Sequence, residues 1–237
     1  MPENVYEESR LAALYDYFNP WDDQDAFYLG RGRQCDGPVL DLDCGTGRLA
    51  VHIAEETDLA VTSAEPGTGM FHSTRSVLGL ERVEWIQDLD QTFKTPTRFA
   101  FAYMTRHAFQ PVHTSEAAIA LLANVARNLT TEGRFVFETR NPEDRAWDRW
   151  AGDHTVVNTK EHGPVQESYE VEELSDGLMP LATTSASSAV VRSSRGAIVC
   201  ASPQRSRAQV GALPPASMSS SGTATGTAVR STTTAQR

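Results

Sequence analysis

Cysteine is scarce in this chain: three in 237 residues, at Cys35, Cys44 and Cys200, with no CxxC pair. That spacing supports neither a structural zinc site nor a disulfide framework, so no metal is expected and a reducing cytoplasm is the expected compartment. Long apolar runs are missing as well. No stretch of about 18 apolar residues occurs, so no membrane span is expected. The opening MPENVYEESR is acidic and lacks an apolar segment, so no signal peptide is expected. A basic surplus is also absent. The formal net charge is −10, which leaves nothing to neutralise a phosphate backbone, and a nucleic-acid partner is not expected. What is present is a 40% hydrophobic content, enough for one core of ordinary domain size.

The composition changes near residue 177. All 31 Asp and Glu lie at or before Asp176, and the last aromatic residue is Tyr169. Six Arg of the 21 basic residues follow, so the part up to 176 carries −16 and the remainder +6. From Ala182 to Arg237, 38 of 56 residues are Ala, Ser, Thr, Gly or Pro. Such a segment has little apolar area to offset its ordering entropy, and it is expected to be disordered or poorly packed. It reads either as a flexible basic arm or as GC-rich coding DNA translated in the wrong frame. Reading the other two frames past codon 177 separates the two. The expected organisation is an N-terminal helical cap (1–35), an α/β domain (36–150), an antiparallel extension (151–176) and a low-complexity tail (177–237).

Within the ordered part, Leu11, Leu14, Tyr15 and Phe18 share a helical spacing that predicts a helix over 6–18, ended by Asn19-Pro20. Short apolar runs at 38–43, 59–64, 83–87, 99–104 and 134–139 read as five strands. Leu49, Ala50, Ile53 and Ala54 mark a helix after the first. A helix over 115–129, capped by Thr114 or Ser115, is expected to bury Ala118, Leu121, Leu122, Val125, Ala126 and Leu129 and to end before Gly133. Strands alternating with helices imply an α/β fold with a doubly wound, mostly parallel sheet. Ligands then bind beyond the carboxyl ends of the strands. The sheet's last elements are expected to be missing or disordered.

The segment VLDLDCGTGRLA (39–50) sets Gly45 and Gly47 between the first strand and its helix, where the backbone must turn tightly and approach a ligand. Asp41 lies near the strand end. Glu65 closes the second strand, where a carboxylate can accept both hydroxyls of a ribose. The loop also satisfies the G-x-G-x-x-A dinucleotide pattern. However, Asp41 and Asp43 would repel a pyrophosphate, whereas they attract the sulfonium and ammonium of S-adenosylmethionine (SAM).

These residues resemble the class I SAM-dependent methyltransferases, of the small bacterial single-domain type, over about residues 10–150. The first motif is carried by Asp41, Gly45 and Gly47, and the second by Glu65-Pro66 with Met70 following. LYDYFNPWD (14–22) resembles the helix that closes over the cofactor, YMTRHAFQ (103–110) the segment after strand four, and NLTTEGRFVFETRNP (128–142) the approach to and exit from strand five. The resemblance implies a Rossmann-like SAM-binding fold, with SAM held by Tyr15, Asp41, Asp43, Cys44, Gly45, Thr46, Gly47, Glu65, Pro66, Met70, Asp88, Leu89 and Met104. The adenine-side acid falls on Asp88 or Asp90. It implies methyl transfer to a small-molecule acceptor, bound by His107, Glu138, Arg140 and Asn141, with His107 the candidate base. His107 can alternatively order its loop, and Arg140 can pair with Glu138 or another acid. The chain departs from the family at Asp43, which occupies the loop's first glycine position, at Arg106, where a small residue is usual, and at Ala100, where an acid is common. A SAM-binding protein without turnover and an NAD(P)-dependent oxidoreductase are the alternative readings.

Overall fold

The computed structural model describes residues 5–7, 9–74, 80–88, 92–112, 114–140, 144–150, 152–171, 178–179, 181–187, 190–192 and 200–201. All belong to the first of two compact units, Met1–Ser202; the second, Pro203–Arg237, lies outside the described residues.

Five strands form one parallel sheet: β1 (Val39–Leu42), β2 (Val61–Ala64), β3 (Val83–Ile86), β4 (Phe99–Met104) and β5 (Leu129–Phe137), in the order β3-β2-β1-β4-β5. Both faces are covered, which is why β1 and β2 read as short continuous apolar runs and are buried at every position. The alternation of a strand assigns its side chains to two layers. Val39, Phe101 and Tyr103 pack with Tyr28, Leu49, Ala50 and Ile53 on one face. Leu40, Leu42, Ala102 and Met104 pack with Phe93, Leu121 and Val125 on the other. Asp41 belongs by alternation to the first, apolar layer.

The helices are α1 (Ser9–Ala12), α2 (Tyr15–Phe18), α3 (Asp23–Arg33), α4 (Arg48–Glu56), α5 (Thr68–Thr74), α6 (Ser115–Asn128) and α7 (Trp147–Trp150). Three local expectations are corrected. The helix over 6–18 is instead a 3-10 turn (Val5–Glu7) followed by α1 and α2, broken at Ala13-Leu14; nothing in the side-chain packing explains the break. α3 falls within the expected helical cap (1–35), although no separate helix was assigned to 23–33. Its signal is the Asp22/Asp25 capping box, in which the Asp22 side chain accepts from the Gln24 and Asp25 amides and Asp25 accepts from the Asp22 amide. α6, capped by Thr114, buries Leu121, Asn124, Val125 and Asn128, whereas Leu122 and Ala126 are exposed. It passes straight into β5, which starts five residues earlier than its apolar run suggested. Gly133 therefore lies inside the strand, where a Cβ would stand 2.7 Å from the Phe99 carbonyl, at the point where the β4–β5 register shifts.

A second, antiparallel sheet has the order β10-β9-β7-β6, from β6 (His154–Thr159), β7 (Gly163–Val171), β9 (Leu181–Ser187) and β10 (Val190–Arg192). β8 (Leu178–Met179) pairs with β11 (Cys200–Ala201). Among the described residues no helix is long and apolar enough to cross a membrane.

Candidate functional site

The chain runs outward from β1 to β2 and β3, then returns to β4 on the other side of β1. The reversal falls between β1 and β4, whose carboxyl ends are the position where doubly wound sheets bind ligands. The loops after β1 (43–47), β2 (65–67) and β4 (105–112) meet there.

The first loop turns through three left-handed residues: Asp43 (φ 55°), Gly45 (φ 58°) and Gly47 (φ 74°). Glycine adopts this conformation freely, while an aspartate does so at a cost of about 1 kcal/mol. Glu65 threads between the loops. Its carboxylate accepts the Gly45 amide at 2.8 Å and the Gly67 amide at 2.7 Å. A carboxylate has about four acceptor sites, so two remain for ligand hydroxyls.

The electrostatics of this corner are one-sided. Asp41 is 1% and Glu65 3% exposed, and among the described residues neither makes an ion pair with a basic side chain. Burial pushes the Asp41 carboxyl well above the usual range, and the Asp43 charge adds to the rise. One Asp41 oxygen and the Tyr103 hydroxyl both lack a hydrogen-bond partner among the described residues. Burial likewise pushes Glu65 up to about 8, with the Asp43 charge adding to it, and pushes Asp43 up to about 6.

The remaining expected cofactor contacts fall around this corner or in the core. Thr46 is buried, and its hydroxyl donates to Asp16 at 2.9 Å. Cys44 is half-buried, its amide bonded to Ala64. Tyr15 faces the loop, with Cε1 4.0 Å from the position of a Cβ on Gly45, and burial raises its hydroxyl. Pro66 is half-buried, and Met70 sits buried on α5. Asp88, at the exit of β3, accepts the Thr92 hydroxyl at 3.3 Å. Met104 is packed in the α6-side core. Leu89, Asp90 and Asn141 lie outside the described residues.

Beyond β4, Arg106 (φ 56°) and His107 (φ 62°) form a left-handed turn. Glu138, leaving β5, accepts from the His107 amide at 3.0 Å, the Thr105 hydroxyl at 3.5 Å and the Tyr28 hydroxyl. The Nδ1 of His107 is buried without a hydrogen-bond partner among the described residues. Burial, then Arg140 and Arg106, holds the imidazole down to about 4, so it is neutral at physiological pH. Arg140 stacks its guanidinium 4.4 Å from the Trp150 ring centroid, and its amide donates to Gln110 at 3.1 Å.

Sequence reasoning missed Tyr6, Asp25, Tyr28 and Arg48. Burial pushes the Tyr6 hydroxyl up to about 12, with Asp43, Glu167 and Glu65 adding to the rise, and its ring centroid lies 6.4 Å from that of Tyr15. Tyr28 and Glu138 lie 110 residues apart, a pairing that no local pattern discloses.

Solved structures share this architecture. DesVI of Streptomyces venezuelae superposes with a TM-score of 0.65 at 21% identity, over 80% of this chain and 83% of that one. CalS10, an amino pentose methyltransferase from Micromonospora echinaspora involved in calicheamicin biosynthesis and solved with SAM bound, gives 0.62 at 19% identity over 86% of each chain. KedS8, a sugar N-methyltransferase from Streptoalloteichus sp ATCC 53650, gives 0.57 at 16% identity over 76% of this chain and 72% of that one. No protein-family model matches the sequence, and no curated protein matches it significantly. At these identities the likeness is one of fold, and the fold is that of the class I SAM-dependent methyltransferases.

Proposed function

We propose that this chain binds SAM and transfers its methyl group to a small-molecule acceptor. The observation that carries the reading is the pair of buried carboxylates, Asp41 and Glu65, flanking the left-handed glycines without a cation beside them. A buried charge without a partner is costly, and a cationic ligand would relieve it. SAM fits this corner: its positive groups suit Asp41, and its ribose hydroxyls suit the open acceptor sites of Glu65. A pyrophosphate would face the same carboxylates with the wrong sign, which argues against the nicotinamide reading.

When bound, SAM supplies an already activated methyl group, so the protein's task is to place the acceptor in line and to exclude water. The Arg106–His107 turn sits at the exit of β4, held by Glu138. Neutral His107 can accept a hydrogen bond from an amine or hydroxyl acceptor and so orient it, while its imidazole, held down to about 4, is a weak base. The two named neighbours that act on an amino pentose and a sugar nitrogen make an amino sugar the first acceptor class to try. Calorimetry of the full chain with SAM, followed by methyl transfer from labelled SAM to an acceptor panel led by amino sugars, tests the reading. No binding at millimolar SAM, or binding of NAD in its place, would refute it.

The second reading, a SAM binder without turnover, is favoured by one observation: an aspartate occupies the left-handed position at 43. Asp43→Gly is expected to stabilise the ligand-free protein by about 1 kcal/mol through relief of strain. It is also expected to tighten SAM binding several-fold at neutral pH, because Glu65 loses its like-charged neighbour and ionises more readily. Thermal unfolding and calorimetry check both. Weaker binding in this variant would make Asp43 itself a ligand.

A further inference from the structure

Two arginines, one opening α4 and one in the turn after β4, converge on one buried carboxylate. Asp25, at the third position of α3, has a side chain only 3% exposed. Its Oδ2 accepts from Arg48 Nη2 at 3.3 Å, from Arg106 Nη2, and from the Asp22 amide at 3.1 Å. Arg48 is the first residue of α4, directly after Gly47. It also donates to the Asn19 carbonyl at 3.0 Å, approaches Asp16 at 3.5 Å and lies 5.6 Å from the Trp21 ring centroid. Arg106 precedes His107. It further binds Asp22 at 3.0 Å and the Pro20 carbonyl at 3.1 Å. The segment 16–25 is therefore gripped by the β1-exit loop through Thr46 and Arg48, and by the β4-exit turn through Arg106.

We propose that Asp25 is a positioning residue that couples the two halves of the site. Through Arg48 it fixes the start of α4 and so the glycine loop. Through Arg106 it fixes the left-handed turn that presents His107. The inference rests on reading the β1 exit as the cofactor side and the β4 exit as the acceptor side. It gives Arg106, which stands where a small residue is usual, a role: its forked, bidentate head binds two carboxylates and a carbonyl at once, which a lysine cannot do.

Arg106→Gly is the informative substitution. It relieves the left-handed backbone and leaves Asp25 paired with Arg48, so no buried charge is stranded. Arg106→Met, which keeps the aliphatic stem, serves as the second variant. In the full chain, amide hydrogen exchange is expected to rise about tenfold both in Asp16–Asp25 and in Cys44–Arg48, although neither segment contains the substitution. SAM affinity is expected to fall about tenfold by calorimetry, with Arg106→Lys recovering part of it. Faster exchange confined to 105–108 in both variants overturns the coupling, and so does unchanged SAM affinity. A wild-type chain that binds no SAM while the distant exchange still responds would instead remove the functional reading and leave the mechanical link supported.

Discussion

Gly47→Ala is expected to be the most damaging single-methyl change in the glycine loop, lowering stability by about 2–4 kcal/mol. Two costs add. The residue sits at φ 74°, in the left-handed region, where an L side chain costs about 1 kcal/mol. In addition, a Cβ there would lie 2.2 Å from Trp85 Cη2 and 2.5 Å from Cζ3. Trp85 stands on β3 and packs against the α3/α4-side core, so its ring cannot yield without disturbing that layer. Gly45→Ala provides the control. Its φ is similar, at 58°, but the nearest atom is Tyr15 Cε1 at 4.0 Å, so only the backbone term applies and about 1 kcal/mol should be lost. Chemical denaturation of both variants measures the difference. Equal losses would show that Trp85 gives way freely and that Gly47 serves the turn alone.

The two glycines were legible in the sequence for a physical reason. A tight strand-to-helix turn beneath a ligand needs residues without a Cβ, and few other contexts impose that need at this spacing. The central strands β1, β2 and β4 were legible because a parallel sheet covered on both faces demands short, continuous apolar runs. α3 escaped for the converse reason. DQDAFYLGRGR carries no apolar stripe and contains two glycines, one of which, Gly32, lets Ile53 approach to 3.1 Å of a Cβ position. What fixes α3 is its cap and its tertiary partners, and only the cap is local.

The same division runs through the site. Glu65 was legible because it follows a strand at a set distance from the glycines. The partners of Glu138 were not: its carboxylate accepts from the Tyr28 and Thr105 hydroxyls and the His107 amide, and none of these follows from a local pattern. Charge complementarity in sequence proposes the nearest opposite sign. The fold decides by reach, and α3 brings the Tyr28 hydroxyl to Glu138 from 110 residues away. Asp25 was hidden for a related reason, since its two arginines come from 23 and 81 residues away.

Glu65→Gln is expected to weaken SAM binding about 100-fold at pH 8.5 or so, the loss of two hydrogen bonds to a charged acceptor. The pH dependence of the wild type gives the sharper test. With Asp43 beside it, Glu65 is pushed up to about 8 from an ordinary 4.5 by burial and by that like charge. A carboxyl whose folded pKa is raised contributes its stability in full below about 4.5 and loses it as the pH climbs to about 8. The ligand-free protein should therefore become less stable across that window. SAM binding should move the other way. The ligand's hydroxyls and positive groups favour the ionised carboxylate, so binding expels a proton, and affinity should rise by up to about tenfold per pH unit until Glu65 is ionised. In Glu65→Gln the Glu65 proton is gone, so affinity should rise less steeply with pH between about 7 and 8.5 than in the wild type. Calorimetry in two buffers of different ionisation enthalpy reads the proton count directly. If wild-type SAM binding at neutral pH releases no proton, Glu65 is already ionised in the free protein, and the two buried carboxylates are not held in waiting for a cation.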